Sequence, residues 1–293
     1  MSAKAKWMKL LASVAVVALA LQSVRAQSAK SGANAAAPDV AKTIKAAADA
    51  LGMPRTGGPG GALLPEIDVV NRMEIWGSGT SSALGPSGQT LKTEYHAALG
   101  YNPPAMRVEM TRTAAGSSPQ HTIQTVRDNY AWNESQIGAG LEPGRGTATP
   151  VMGAVKERLL QLWILPYGVV KAAFAAGDKA KVSVENGATV LTFPLSGELA
   201  GIMVKATLDS QNFVTKVETS GAMSIEVDYS NYADHGEILT DLKSPGRIVE
   251  KQGGSTVLDV QVKMADLNNP YLVFPVPENV KKATVAQLPD RQQ

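Results

Sequence analysis

The chain of 293 residues contains no cysteine, and its three histidines stand in three separate segments. Without cysteine there is no disulfide, no thiolate metal site and no thiol nucleophile. The chain also lacks a Gly-x-Ser-x-Gly nucleophile motif and a Gly-x-Gly-x-x-Gly nucleotide motif. Asp234-His235-Gly236-Glu237 groups metal-ligand residue types, but its spacing fits a polar loop better than a metal site. We therefore expect a non-enzymatic protein without metal or cofactor; a catalytic triad assembled in space is the remaining enzymatic alternative.

The N-terminal apolar run is too short to cross a membrane. Leu10–Leu21 has 12 residues, whereas a membrane-spanning helix needs about 20. Lysines at positions 4, 6 and 9 precede this run, and the small residues Val24 and Ala26 follow it. This pattern predicts a signal peptide over residues 1–26, cleaved after Ala26, and a periplasmic protein, with an uncleaved anchor as the alternative.

Clusters of positive charge are missing from the mature chain. The signal peptide carries four of the 28 basic residues and none of the 26 acidic ones, so the mature net charge is −2. No block of Lys or Arg remains, and we therefore expect no nucleic-acid partner.

The chain does contain alternating strand patterns, most clearly over residues 101–134. Met106, Val108 and Met110 alternate with polar residues, which is typical of a strand with one buried and one exposed face. A Gly/Ser/Pro turn leads to a second strand, and an Asp-Asn turn leads to a third that carries Trp132. Runs of this kind recur through the chain and predict about 11 to 12 antiparallel strands in a sheet that curves.

Helical spacing occurs first behind Asp39, which can cap a helix that buries Ile44 and ends at Gly52. Residues 27–38 before this helix have little to bury, and we expect a disordered leader there.

A pair of helices is predicted in the middle of the chain. Thr149-Pro150 has the pattern of a helix start, and Pro166 can start a second helix that ends at Gly177. On the first helix the apolar face and the exposed face separate clearly. The apolar face of the first helix carries Met152, Val155, Leu159, Leu162 and Trp163, and its exposed face carries Lys156, Glu157, Arg158 and Gln161. The second helix is predicted to bury Val169, Val170, Ala173 and Phe174.

These elements predict an α+β fold in one domain over residues 39–285. Loops rich in Gly and Pro are expected at 53–62 and 135–149, and a tail at 286–293. We expect the last strand at Tyr271–Phe274.

The order of helix, early strands, inserted helices and later strands resembles the LolA-like family of periplasmic lipoprotein carriers. Three local stretches carry the resemblance: NPPAMRVEM at 102–110, TVRDNYAW at 125–132 and YLVFPVPENV at 271–280. The resemblance implies a half-barrel whose helices lie over the concave face, and a hydrophobic cavity between them. In that family the cavity takes the acyl chains of lipoproteins, without enzymatic chemistry.

One departure from the family concerns the early turn. The carriers place an Arg before its Pro, where the Arg helps to hold the helical cover, whereas here Asn102 precedes Pro103. The resemblance therefore implies apolar-ligand binding more directly than lipoprotein carriage itself.

We expect an exported protein that binds an apolar ligand, either a lipid or the acyl chain of a lipoprotein. A membrane protein of the cell envelope is a further candidate partner. The alternative is a structural, sensor or interaction module whose core is filled by its own side chains and which binds a protein partner. A packed core and a cavity wall have the same sequence pattern, so the alternation alone does not separate them. The candidate cavity residues are Met106, Val108, Met110, Trp132, Leu159, Leu162, Trp163, Val170, Phe174, Met223 and Ile225.

Overall fold

The computed structural model describes residues 39–53, 70–82, 89–234, 242–267, 269 and 271–283, and these residues belong to one compact unit. The signal peptide, the leader, most of the 53–62 loop and His235 lie outside the described residues. Fifteen strands occur in the described part. They are β1 (Arg72–Ser82), β2 (Thr90–Tyr101), β3 (Pro104–Thr113), β4 (Gln120–Arg127), β5 (Tyr130–Glu134), β6 (Ala148–Pro150), β7 (Lys181–Glu185), β8 (Ala188–Pro194), β9 (Ile202–Leu208), β10 (Val214–Gly221), β11 (Glu226–Ser230), β12 (Ala233–Asp234), β13 (Lys243–Ser244), β14 (Arg247–Gln252) and β15 (Ser255–Leu267).

Thirteen of these strands form one antiparallel sheet in the order β6-β5-β4-β3-β2-β1-β15-β14-β11-β10-β9-β8-β7. The remaining two, β12 and β13, pair with each other. The sheet joins the two halves of the chain at its centre, where the first strand pairs with the last. The predicted α+β fold with a large antiparallel sheet is confirmed.

The described residues contain four α-helices: α1 (Val40–Ala50), α2 (Val155–Trp163), α3 (Pro166–Ala176) and α4 (Glu278–Lys281). Asp39 caps α1 by accepting a hydrogen bond from the Lys42 backbone N–H at 3.1 Å, as predicted. Pro166 is the first residue of α3, and Gly177 ends it with a φ of 53°. Among the described helices none is alone long and apolar enough to cross a membrane; Met152–Trp163 and Pro166–Lys179 pass that test only as a pair bent by 97°.

Helices α1, α2 and α3 contribute to one hydrophobic core with the inner face of the sheet. Helix α2 contacts both β3 and the turn Gly197–Leu199, which follows β8. Because β3 and β8 stand eight places apart in the sheet, they would be nearly 40 Å apart if the sheet were flat. A nine-residue helix is only about 14 Å long. The sheet must therefore curve around the helices, and its two ends, β6 and β7, do not pair with each other.

Glycines in β1 allow the sheet to bend at its centre. The pairing of β1 with β15 shifts register between Trp76 and Gly77, which marks a bulge. A Cβ atom on Gly79 would collide with the backbone oxygen of Asp259 in β15. Only glycine permits the two strands to approach this closely, and the bulge increases the local twist.

Thr149 and Pro150, predicted as a helix start, instead belong to β6. They pair with Asn133 and Trp132 of β5, and α2 begins only at Val155 after a short 3₁₀ turn. Because β6 is the edge of the sheet, proline's missing N–H costs no ladder hydrogen bond on the outer side.

The C-terminal segment, residues 271–277, was predicted to begin with a strand but does not join the sheet. Leu272 and Phe274 pack on Ala98 and Ala105 on the outer face. The Arg127 guanidinium donates to the Phe274 carbonyl at 2.9 Å. The predicted strand is therefore wrong. The segment does bury alternate apolar residues, but its backbone is hydrogen-bonded to the Arg127 side chain and not to a neighbouring strand.

Candidate functional site

A cavity of about 1080 Å³ lies between α1, α3 and the end of β2. Most of its lining is apolar, and the polar side chains in the lining come from a few positions only. The residues are Val40, Ala41, Ile44, Lys45, Ala48, Asn71, Tyr101, Asn102, Trp163, Lys171, Phe174, Ala175, Gly177, Asp178 and Ala180.

The spacing of apolar residues in α1 explains one wall of this cavity. Val40, Ile44 and Ala48 recur every four residues, so they share one face of the helix. Ile44 and Ala48 are buried, and they reach both the core and the cavity. Alanines at positions 41, 48 and 175 end at Cβ, and these short side chains leave space that longer ones would fill.

Two aromatic rings lie at the inner end of the cavity. Tyr101 is buried, and its ring centroid is 5.6 Å from that of Trp163. The ammonium group of Lys171 lies 5.3 Å from the Tyr101 ring centroid, within the range of a cation–π interaction. Burial raises the pKa of Tyr101, so its hydroxyl stays protonated at neutral pH.

Phe174 was predicted to be buried, but it lies at the outer end of the cavity with 62% of its surface exposed, because it faces away from the core-facing side of α3. Its ring adds apolar surface to the lining at this end of the cavity. Asn71 and Asn102 line the cavity beside Tyr101, whose backbone N–H donates to the Asn71 carbonyl at 2.9 Å, and Lys45 forms an ion pair with Asp49 at 2.9 Å. The lining is therefore mainly apolar, with a few polar side chains distributed along it.

A second cavity of about 560 Å³ lies on another side of α3. Leu159, Trp163 and Ala172 form its apolar side, and the loop after β8, residues 194–199, faces them. Trp163 and Ala175 line both cavities, so the two spaces are neighbours separated by α3 and this indole ring.

The candidate residues on β3 do not reach either of these cavities. Met106 and Val108 are buried, and with Met110 they line a much narrower space of about 170 Å³ beneath α2. Glu250 lies in the same space, and burial raises the pKa of its carboxyl group. The β3 residues thus form mostly packed core.

The remaining candidates divide between cavity wall and core. Leu159, Trp163 and Phe174 line the two large cavities. The others, which belong to the core or pack against it, are Leu162, Val170, Met223 and Ile225. The candidates that line the two large cavities therefore lie on α2 and α3, and Tyr101, which lines the larger cavity, was not a candidate.

Trp132 faces away from the cavities, contrary to the prediction. It is buried with Ala148 and Val280 on the other face of the sheet, and its indole N–H donates to Glu134 Oε1 at 2.9 Å. Ala131, its neighbour in β5, belongs instead to the inner core. Both faces of this five-residue strand are covered, so the alternation of apolar residues could not indicate which face of β5 points towards the cavities.

Arg158 is buried, although the helical pattern placed it on the exposed face of α2. Its Nη1 atom donates to the carbonyl oxygens of Thr125 at 2.9 Å and Trp132 at 2.6 Å, and Nη2 donates to Asn133 Oδ1 at 2.6 Å. Burial lowers the pKa of Arg158 to about 10, which leaves the guanidinium charged at neutral pH. These bonds attach the start of the helical pair to β4 and β5.

The side chains that line the cavities are suited to binding an apolar molecule. The described residues hold no group of three His, Asp or Glu side chains that could bind a metal. Lys171 and Lys45 are the cationic groups in the lining of the larger cavity, and its walls can exclude water from a hydrocarbon chain.

No protein-family model matches the chain, and no curated protein matches it in sequence. The resemblance to LolA-like carriers rests on the motifs quoted above and stays a prediction.

Proposed function

We propose that this protein is an exported binding protein for an apolar ligand, which holds a hydrocarbon chain of a lipid or lipoprotein between its curved sheet and helices α1 and α3. The observation that carries the proposal is the 1080 Å³ cavity with aromatic rings at its inner end and an exposed Phe174 at its outer end. Small-molecule sites have volumes of about 300–1,000 Å³, so this cavity is large enough for a long chain.

Binding would be driven by removal of the hydrocarbon chain from water. Each buried methylene contributes about 0.8 kcal/mol, so a chain of ordinary length binds well without any specific polar contact. The exposed end of the cavity beside Phe174 would leave the polar head of the ligand close to solvent. No bond is made or broken in this mechanism, and we propose no enzymatic step.

Release would need the cover of the cavity to move, and α1 is the element placed to do so. In the carriers that the sequence resembles, an Arg before a Pro helps to hold the cover. Here Asn102 occupies that position, and the guanidinium that joins helix to sheet is instead that of Arg158, in α2. We therefore propose that α2 stays fixed during exchange of ligand and that α1 moves.

The alternative is a structural, sensor or interaction module with a filled core that binds a protein partner. The two candidates differ in what they predict for the purified protein. A carrier retains or takes up lipid in a defined stoichiometry, whereas a module with a filled core takes up none.

The test is native mass spectrometry of the mature protein purified gently from the periplasm, followed by organic extraction of bound material. We expect a co-purifying lipid or acylated peptide, and uptake of added fatty acid or lipopeptide after extraction. Phe174→Glu, which places a charge at the outer end of the cavity, should abolish both.

Val273→Glu is the matched control, since Val273 is 61% exposed, nearly the same as Phe174, but lies on the C-terminal segment outside the cavity lining. This variant should bind like the unmodified protein. An unmodified protein that carries no lipid and takes up neither probe would contradict the proposal and favour the interaction module.

A further inference from the structure

The two edges of the large sheet are protected unequally. At the β6 edge, α4 packs against the strand, and the Asn279 side-chain amide donates to the Ala148 carbonyl at 2.7 Å. At the other edge, α1 contacts β7, but no strand in the described part of the chain pairs with the outer side of β7. Four of the five residues of β7 are exposed, and Val184 has 60% of its surface in solvent. An edge of this kind is a template for another strand.

The turn after β7 determines which backbone groups point outward. Asn186 and Gly187 have φ angles of 51° and 84°, as in the two-residue turn of a tight hairpin. Such a turn places Glu185 and Ala188 as a hydrogen-bonded pair, and hydrogen-bonded pairs then alternate along the ladder. Lys181, Ser183 and Glu185 consequently bond to β8. The N–H and C=O groups of Val182 and Val184 point away from the sheet.

We propose that β7 pairs antiparallel with β7 of a second copy of this chain, with Ser183 opposite Ser183 at the two-fold axis. In this register Val182 of one copy lies opposite Val184 of the other, so the outward N–H and C=O groups meet as hydrogen-bonded pairs. The same register places Lys181 of each copy opposite Glu185 of the other. The sequence Lys-Val-Ser-Val-Glu is therefore complementary to its own antiparallel copy in both backbone and charge.

Neighbouring registers are less favourable. Moving the pairing so that Val182 faces its own copy places Lys181 opposite Ser183, and moving it the other way places Ser183 opposite Glu185. Both of these lose the two cross-strand Lys–Glu pairs, which stabilise the central register.

The side chains around β7 support the same arrangement. Val182 and Val184 lie on the inner face, opposite Leu191 and Thr189 of β8, and an exposed Val184 would gain an apolar neighbour in the dimer. Glu185 already accepts from Lys205 Nζ at 2.7 Å, and Lys181 of the second copy would be its second cation. A single strand pair buries less area than a standard interface, so the dimer is expected to be weak and dependent on concentration.

Sedimentation equilibrium of the mature protein over a range of concentrations tests this dimer. We expect a monomer–dimer equilibrium that Val184→Pro removes, because proline deletes an outward N–H without deleting a donor to β8. Glu185→Lys should weaken dimerisation about tenfold, since it places Lys opposite Lys twice. Circular dichroism melting checks that each variant remains folded.

The double variant Lys181→Glu/Glu185→Lys separates pairing from local damage. It loses the Glu185–Lys205 contact just as the single variant does, but it restores two opposite-charge pairs across the dimer, so dimerisation should return towards the original strength. A protein that stays monomeric at its highest soluble concentration would overturn the proposal. So would a dimer that persists with Val184→Pro, or a double variant no better than Glu185→Lys. Lipid uptake should be unchanged in all three variants, so the dimer and the binding function can fail separately.

Discussion

Helices α1 and α2 both cover the inner face of the sheet, but different interactions hold them there. Arg158 attaches α2 to β4 and β5 through hydrogen bonds to two backbone carbonyls and one side-chain amide. Helix α1 packs through the apolar side chains of Ile44, Ala47 and Ala48, and at its end the Leu51 carbonyl accepts from the Lys243 backbone N–H at 3.1 Å. Directional bonds from a buried cation fix a helix in one position, whereas apolar contacts beside a cavity permit it to move.

The largest effect on this difference between α1 and α2 is expected from removing the Arg158 guanidinium. Arg158→Ala should lower the free energy of unfolding by about 3 kcal/mol, because buried carbonyls lose a charged donor and find no replacement. Denaturant unfolding measures the loss. Lys156→Ala, an exposed residue of the same helix, should change stability by less than about 0.5 kcal/mol. A loss below about 1 kcal/mol for Arg158→Ala would show that α2 is held by its apolar face alone.

A smaller effect is expected from the apolar face of α1. Ile44→Ala should destabilise by about 2 kcal/mol, the lower end of the range for such truncations, because Ile44 already borders a cavity. Hydrogen exchange should show faster opening of α1 amides than of α2 amides, and this variant should widen the difference. Lys42→Ala, on the exposed side of α1, is the control. Equal exchange protection of the two helices would contradict the comparison.

A smaller change in the stability of α1 is expected from its N-terminal cap, Asp39. Asp39→Ala removes the acceptor for the Lys42 N–H and should cost about 1 kcal/mol. Asp39→Asn keeps an oxygen acceptor and should restore most of that stability. The measurement is thermal unfolding together with hydrogen exchange in the first turn of α1. If both substitutions are neutral, the cap does not contribute to holding this helix.

The outer face of the sheet carries a pH-dependent interaction of His96, which should change the stability of the protein without affecting the helices that cover the inner face. His96 lies between Glu109 (2.9 Å) and Glu74 (3.1 Å) and stacks on Trp76. Burial lowers the pKa of His96, but its hydrogen bonds to Glu109 and Glu74 outweigh this and raise the pKa above its ordinary value of 6.5. The stabilisation is therefore complete below about pH 6.5 and is lost as the pH rises through the higher folded-state pKa.

His96→Gln should accordingly reduce stability below pH 6.5 by about 1 kcal/mol or less, and the difference should shrink at higher pH. Unfolding curves across this range measure it. His121→Gln is the matched control, because His121 bonds to the Thr111 hydroxyl rather than to a carboxylate. Lipid uptake should not follow this pH dependence. A stability difference that grows above pH 6.5 would contradict the assignment of the charged imidazole.

Much of the fold was accessible from local patterns. Met106, Val108 and Met110 alternate because β3 has one face on the core, and Asp39 and Pro166 mark helix starts by their own hydrogen-bonding and backbone geometry. Thr149-Pro150 failed as a helix start because an edge strand tolerates proline equally well, and local chemistry does not separate the two cases.

The sequence by itself determined the strand and helix periods and the α+β class. Tertiary structure decided three other matters: the burial of Arg158, the outward face of Trp132 and the volume left open beside α1. The reason is physical. Periodicity reports that a side chain leaves water, but a filled core, a cavity wall and a hydrogen-bonded cation leave water alike, and only the positions of distant segments distinguish them.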